Sequence, residues 1–267
     1  MNRKPAVAGT FYPSNPEALR REVMACLGAE RGDESAIAVL APHAGYIYSG
    51  PCAGRTYAKV RVPELVVVLG PNHTGLGRPL AVMEEGEWET PLGPVSLHEP
   101  LARRLRELDP ALSLDPLAHA SEHSLEVQLP FLRLLRPGFR MVPICVGAHR
   151  LQDLLGLGDA LAEAIRTAGE EVLIVISSDM SHYIPFDEAR VLDAKAIKMM
   201  ESLDAEGLHS TIEREEITMC GYCPAVVGLH AARLLGARSG RLVAYSSSGD
   251  RTGDYNSVVA YAGLTFH

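Results

Sequence analysis

The sequence predicts a single α/β domain over residues 1–267, with a mixed, largely parallel central sheet and helices on both of its faces. Two observations carry the prediction. Short, unbroken apolar runs rich in β-branched residues recur along the chain, which is how strands buried on both faces read. Amphipathic stretches of helical period separate these runs, so strand and helix alternate. A chain of 267 residues sits near the upper limit of one hydrophobic core, and 47% apolar with 22% charged residues is the balance of an ordinary folded domain. No repeat, low-complexity tract or linker divides it.

The elements follow in order. Ser14, with Glu17 three residues on and Pro16 early in the first turn, forms a capping-box start for a helix that runs to Gly28. Strands are expected at 37–41, 65–69, 141–146, 172–176 and 242–245, with a last one at 257–262. Helices are expected at 101–108, 125–135, 151–168, 189–203 and 225–235. Between Leu80 and Leu97 the rhythm breaks, and Trp88, Pro91, Gly93 and Pro94 predict a short antiparallel excursion.

Charge and cysteine usage narrow the function classes. A formal net charge of −8 argues against a nucleic-acid partner, because phosphate binding needs clustered Lys and Arg. The basic cluster of Arg103, Arg104 and Arg106 reads as a solvated helix face. The start, MNRKPAVAGTFYP, lacks the apolar core of a signal peptide, and no apolar run approaches the roughly 20 residues of a membrane span. No membrane partner is expected, and the five scattered cysteines suit a reducing cytoplasm. Cys26, Cys52 and Cys145 lie in apolar settings and read as buried small hydrophobes.

The chemistry gathers where strands end. The 37–41 strand leads into Pro42-His43-Ala44-Gly45-Tyr46, and the 65–69 strand into Gly70-Pro71-Asn72-His73-Thr74-Gly75. A third strand ends in Ser177-Ser178-Asp179-Met180-Ser181-His182. In open α/β sheets the carboxyl edge is where ligands bind. One histidine there would read as a hydrogen-bonded structural residue. Three at equivalent places point to a metal or catalytic cleft, since neutral imidazole is a metal ligand and needs a partner on its other nitrogen. Asp179 either serves this cleft or pairs with His182 structurally.

Two further segments leave alternatives open. Ser121-Glu122-His123-Ser124-Leu125-Glu126 reads as a helix start, where His123 faces the cleft or merely packs behind a Ser121 cap. Cys220 and Cys223 precede the 225–235 helix, and either sulfur can reach the cleft. No second cysteine pair completes a four-sulfur zinc site. A thioredoxin-like dithiol is disfavoured, because that motif directly follows a strand and this one follows an apparently helical acidic stretch.

Taken together, PAVAGTFYP, APHAGYIYSG, LGPNHTG, WETPLGPV, EHSLEVQLPFL, SSDMSHY, MCGYCPA and YSSSGD resemble the Memo family, in order from Pro5 to near the C-terminus. The resemblance implies a fold similar to the catalytic subunit of class III extradiol dioxygenases, which open catechol rings with non-haem iron. It also implies that His43, His73 and Cys220 are metal ligands. His123 and His182 would stand beside a small-molecule ligand as acid or base, with Asp179 as a cleft acid. AMMECR-type and radical-SAM proteins are the partners it suggests. The dioxygenases use two histidines and a carboxylate; a thiolate is softer and favours copper or zinc, with iron still feasible. Iron or copper is therefore the expected cofactor. Two readings stand: a metal-dependent redox enzyme acting on a small molecule, and a non-catalytic module that binds a peptide or phosphopeptide or carries metal.

Overall fold

Leu65, Val67 and Leu69 pack on one face of the central sheet while Val66 and Val68 pack on the other, and all five are fully buried. Successive side chains of a strand point to opposite faces, so a strand covered on both sides must be apolar throughout. That is the origin of the unbroken runs. The structure, a computed structural model, describes residues 2–267.

In chain order the elements are β1 (Asn2–Arg3), α1 (Pro16–Leu27), β2 (Ala38–Ala41), α2 (Tyr46–Tyr57), β3 (Leu65–Pro71), β4 (Leu80–Val82), β5 (Glu87–Trp88) and β6 (Val95–Leu97). Next come α3 (Glu99–Leu108), β7 (Ser113–Leu114), α4 (Leu129–Leu135), β8 (Arg140–Val146), α5 (Leu151–Arg166), β9 (Val172–Ser177) and β10 (His182–Ile184). The chain ends with α6 (Phe186–Glu201), α7 (Ala205–Glu215), α8 (Tyr222–Leu234), β11 (Gly240–Ser247), α9 (Gly249–Thr252) and β12 (Val258–Phe266).

The sheet runs β1-β5-β6-β8-β3-β9-β2-β12-β10. Its centre, β6-β8-β3-β9-β2, is parallel, and β12 closes that side antiparallel to β2, β10 and β11. One face is covered by α1, α2 and α4, the other by α3, α5, α6, α7 and α8. The mixed, largely parallel sheet with helices on both faces is the predicted architecture. The 80–97 excursion is present as well, with β5 antiparallel to β6 and β4 antiparallel to β8. Among the described residues no helix is long and apolar enough to cross a membrane.

Four local expectations need correction. The cap of α1 is Asn15, not Ser14, because Asn15 directly precedes Pro16 and its Oδ1 reaches the backbone N–H groups of Glu17 and Ala18. Ser121 caps no helix; residues 121–125 are irregular, and a 3-10 turn at Glu126–Gln128 precedes α4. Cys52 and Cys145 are buried, but Cys26 is only partly so, and all five cysteines are free. Helix α2 was not foreseen, because Gly50, Pro51 and Gly54 make its intrinsic propensity poor.

Packing overrides that propensity in α2. A Cβ on Gly54 would overlap the carbonyl group of Cys26, so the bare glycine is what lets α2 lie directly on α1. Gly54→Ala should cost about 1–3 kcal/mol through this overpacking, measured as a lower urea midpoint at unchanged slope.

Candidate metal centre

Strands β3, β9 and β2 lie side by side and parallel, so the chain leaves all three at the same sheet edge. His43 follows β2 by two residues, His73 follows β3 by two, and Asp179 follows β9 by two. Helix α8 starts against the same edge and brings Cys220 with it. That approach requires Gly221, where a Cβ would run into the Ser177 carbonyl and the Ser178 side chain.

His43 is 1% exposed, and its Nδ1 lies 2.8 Å from Ser177 Oγ. The proton on this contact can be assigned. Ser177 spends its one hydroxyl hydrogen on the Ser124 carbonyl at 2.7 Å and accepts a hydrogen bond from Gln128 Nε2 at 2.8 Å. The Gln128 amide is itself fixed, since its Nε2 faces the Pro42 carbonyl at 3.1 Å and its Oε1 accepts from Tyr57 Oη at 2.8 Å. Ser177 therefore has only an acceptor site left for His43, so His43 Nδ1 carries the hydrogen and Nε2 presents a lone pair. That Nε2 lies 3.3 Å from Cys220 Sγ.

His73 is held in the same way by a carboxylate. Its backbone N–H donates to Glu122 Oε2 at 2.6 Å and its Nδ1 lies 2.8 Å from Oε1. Burial pushes the Glu122 carboxyl up, but hydrogen bonds from His73 and from Ser124 N–H, with His123 nearby, outweigh it and hold the pKa down at about 2. The carboxylate is ionised, so His73 Nδ1 donates and its Nε2 is free. His123 stacks on His73 with ring centroids 4.5 Å apart and lies 4.7 Å from the Phe11 ring. One ligand atom from each of His43, His73 and His123 lies within 4.8 Å of the others, whereas the expected third ligand, Cys220, contacts His43 but lies outside that converging group.

The surroundings of His43 and His123 disfavour their protonated forms. Burial, then the neighbouring His73 and His123, lowers the pKa of His43 well below its ordinary value. Burial and then His73 lower that of His123. At Cys220, burial and then Asp179 push the thiol up. Asp179 points its Oδ1 at the backbone N–H of His43, 2.8 Å away, and does not orient His182. Burial raises its carboxyl above the usual range. His182 is oriented by a backbone carbonyl instead, with Nδ1 2.9 Å from Thr218 O and its backbone N–H donating to Thr218 Oγ1 at 2.7 Å. Its Nδ1 carries the hydrogen, which leaves Nε2 as an acceptor.

All six predicted residues line one cleft of about 650 Å³. Phe11, Tyr48 and Tyr261 add aromatic wall, and Tyr183, 78% exposed with a left-handed φ of 60°, stands at the rim. Sequence reasoning missed the supports: Ser177, Gln128 and Glu122 hold the imidazoles, and Phe11 comes from an irregular N-terminal segment. All four stood inside segments already singled out, but nothing in those segments showed which side chains would meet the histidines.

The donors fit a transition-metal ion. Two atoms bound to one small ion at about 2.0–2.3 Å are roughly 3–4 Å apart, which the 3.3 Å between His43 Nε2 and Cys220 Sγ matches. His43 and His73 each have one ring nitrogen fixed by the protein and the other free, the arrangement metal-binding histidines require.

Comparison with known proteins agrees with the geometry. The family model for Memo-like protein matches residues 3–265. A MEMO1 family protein of Aquifex aeolicus is 48% identical, covering 99% of this chain and 98% of its own length. One from Methanopyrus kandleri is 41% identical over 100% of this chain and 99% of its own. The fold also matches the crystal structure of an uncharacterised protein of Escherichia coli K12, with a TM-score of 0.58 at 18% identity, over 86% of this chain and 99% of that one. Full-length matches of this kind, with the histidine-lined edge of the sheet, establish that the chain belongs to the Memo family.

Proposed function

We propose that the cleft is a transition-metal centre for redox chemistry on a small molecule, with His43, His73 and Cys220 holding the ion. The observation that carries this is the convergence of His43, His73 and His123, with Nδ1 of the first two already committed to Ser177 and Glu122, beside the Cys220 thiol and the ionised Glu122. That local field is negative and favours a cation. Two imidazoles with one thiolate suit copper or iron, and zinc is also compatible. When bound, copper or iron would supply one-electron chemistry and Lewis acidity at the floor of the cleft. The chain supplies the rest: aromatic walls to seat a planar ligand, and His182 Nε2 to accept its proton. His123 offers a second proton carrier.

His123 also competes with Cys220 for the third position, since its nitrogen lies within 4.8 Å of the other two histidine donors. A second reading, a metal-dependent binding module for a peptide or phosphopeptide or a metal carrier, draws on the aromatic rim, where Tyr183 is 78% exposed. Metal-dependent oxygen uptake with a catechol supports the enzyme reading, and saturable peptide binding without turnover supports the module. A cytoplasmic location, read from the scattered cysteines, and AMMECR-type and radical-SAM partners, implied by the family resemblance, belong to this proposal.

Metal analysis after purification without chelator tests the centre. Wild-type chain should carry one ion, and His43→Ala or His73→Ala should lose it. Cys220→Ser should lose most of the ion while Cys223→Ser and His123→Ala keep it. Loss in His123→Ala with retention in Cys220→Ser would exchange the roles of those two residues.

Removing the supports should act more mildly. Glu122→Gln and Ser177→Ala should each weaken metal affinity by about 10–100-fold, read by chelator competition, because the rings lose their orientation and basicity but not their donor atoms. His182→Ala should retain metal yet lose ligand binding or turnover. Metal loss in that variant, with the circular dichroism spectrum intact, would make His182 a ligand.

A further inference from the structure

A second cavity of about 300 Å³ lies on the other side of the proposed centre. His73 and Cys220 line both this cavity and the main cleft, so those two residues form the partition between them. The second cavity also holds His149 and Cys223. Cys223 Sγ lies 3.4 Å from His149 Nδ1, and Tyr222 Oη lies 3.2 Å from the same nitrogen. Cys223 is 3% exposed, whereas His149, in the loop after β8, is open to solvent. Its backbone carbonyl accepts from His209 Nε2 at 2.9 Å, which ties that loop to α7.

We infer that His149 and Cys223 form a transit site, through which a soft metal ion passes from solvent into the centre by way of the second cavity. The inference rests on the metal-centre reading above. A separation of 3.4 Å is one that two donors on a single small ion adopt, and an imidazole with a thiolate selects cuprous or zinc ions over magnesium or calcium. With two protein donors the pair has fewer bonds to offer an ion than the three or four of a resident zinc site. Among the described residues the group of three or more converging donors is the histidine trio; Cys220 touches that trio through His43, and the His149–Cys223 pair has no contact with it.

The pair therefore holds an ion weakly, at a position that opens onto His73 and Cys220. The direction of transfer follows from donor number, from two donors outside to three inside. When a ligand fills the main cleft, the second cavity still reaches the far side of both residues. The proton balance closes without electron transfer. A cuprous ion displaces the Cys223 thiol proton on capture; on passing to Cys220 it displaces that thiol's proton, and Cys223 takes one back.

Anaerobic filling of metal-free chain with cuprous ion, supplied on a chromophoric chelator whose loss of copper is followed by absorbance, tests this. Cys223→Ala and His149→Ala should each slow filling by about an order of magnitude, while the end point stays at one ion per chain and the melting temperature is unchanged. Unchanged rates in both variants would overturn the transit site, and so would loss of the end-point ion in Cys223→Ala, which would make that sulfur a resident ligand. A His43→Ala/His73→Ala chain separates this inference from the one it rests on. Cuprous ion should still protect Cys223 from iodoacetamide there, read by peptide mass spectrometry, and absence of protection overturns the transit site. Failure of the wild-type chain to hold any ion at the end point overturns the metal-centre reading instead.

Discussion

Two carboxylates with no access to solvent, Glu122 and Glu126, organise the cleft, because a buried charge must be matched by donors or the fold forfeits several kcal/mol. Glu126 gathers the N-terminal segment. It pairs with Arg3 at 2.7 Å and accepts from Ala6 N–H at 2.7 Å, Val7 N–H at 3.0 Å and Tyr12 Oη at 2.7 Å. Arg3 in turn donates to the carbonyls of His119 and Glu122, both at 2.7 Å. An irregular stretch is thereby fixed against the sheet edge, and Phe11 becomes part of the cleft wall. Glu122, four residues earlier, turns the same constraint toward His73.

The histidines are prepared before any ion arrives. Each of the three best-defined rings donates its Nδ1 hydrogen to the protein: His43 to a hydroxyl, His73 to a carboxylate, His182 to a backbone carbonyl. The partners differ, and burial makes His43 reluctant to take a proton. In the proposed function this arrangement separates the work of holding an ion, given to rings whose free nitrogens converge, from the work of carrying protons, given to a ring at the cleft side.

The partition formed by His73 and Cys220 gives the site two faces of different character. The larger face is walled by aromatic rings and hydroxyls and suits an organic ligand. The smaller one carries a thiol and an imidazole and suits an ion. Gly221 is what permits both, because the start of α8 can meet the end of β9 only where no side chain intervenes. Cys220 thus lies on the seam between a strand end and a helix start, reachable from either side.

The chain's own order of residues determined the α/β class, the positions of the main strands, and the histidines that follow them. Those follow from local rules: an apolar run long enough for a strand buried on both faces, then a Gly- or Pro-bounded turn carrying a polar side chain. Helix α2 was hidden, since its Gly- and Pro-rich sequence forms a helix only when α1 supplies a packing surface. The capping-box pattern points to Ser14, but a pattern does not show which oxygen reaches the free N–H groups, and Asn15 is the residue that does. At the site, no sequence rule could assign the partner of His182 to Thr218 instead of Asp179, or bring Gln128 and Ser177 to His43. Those pairings join residues 36 to 134 positions apart, and only the stacking of β3, β9 and β2 into one edge decides which buried polar groups must satisfy one another.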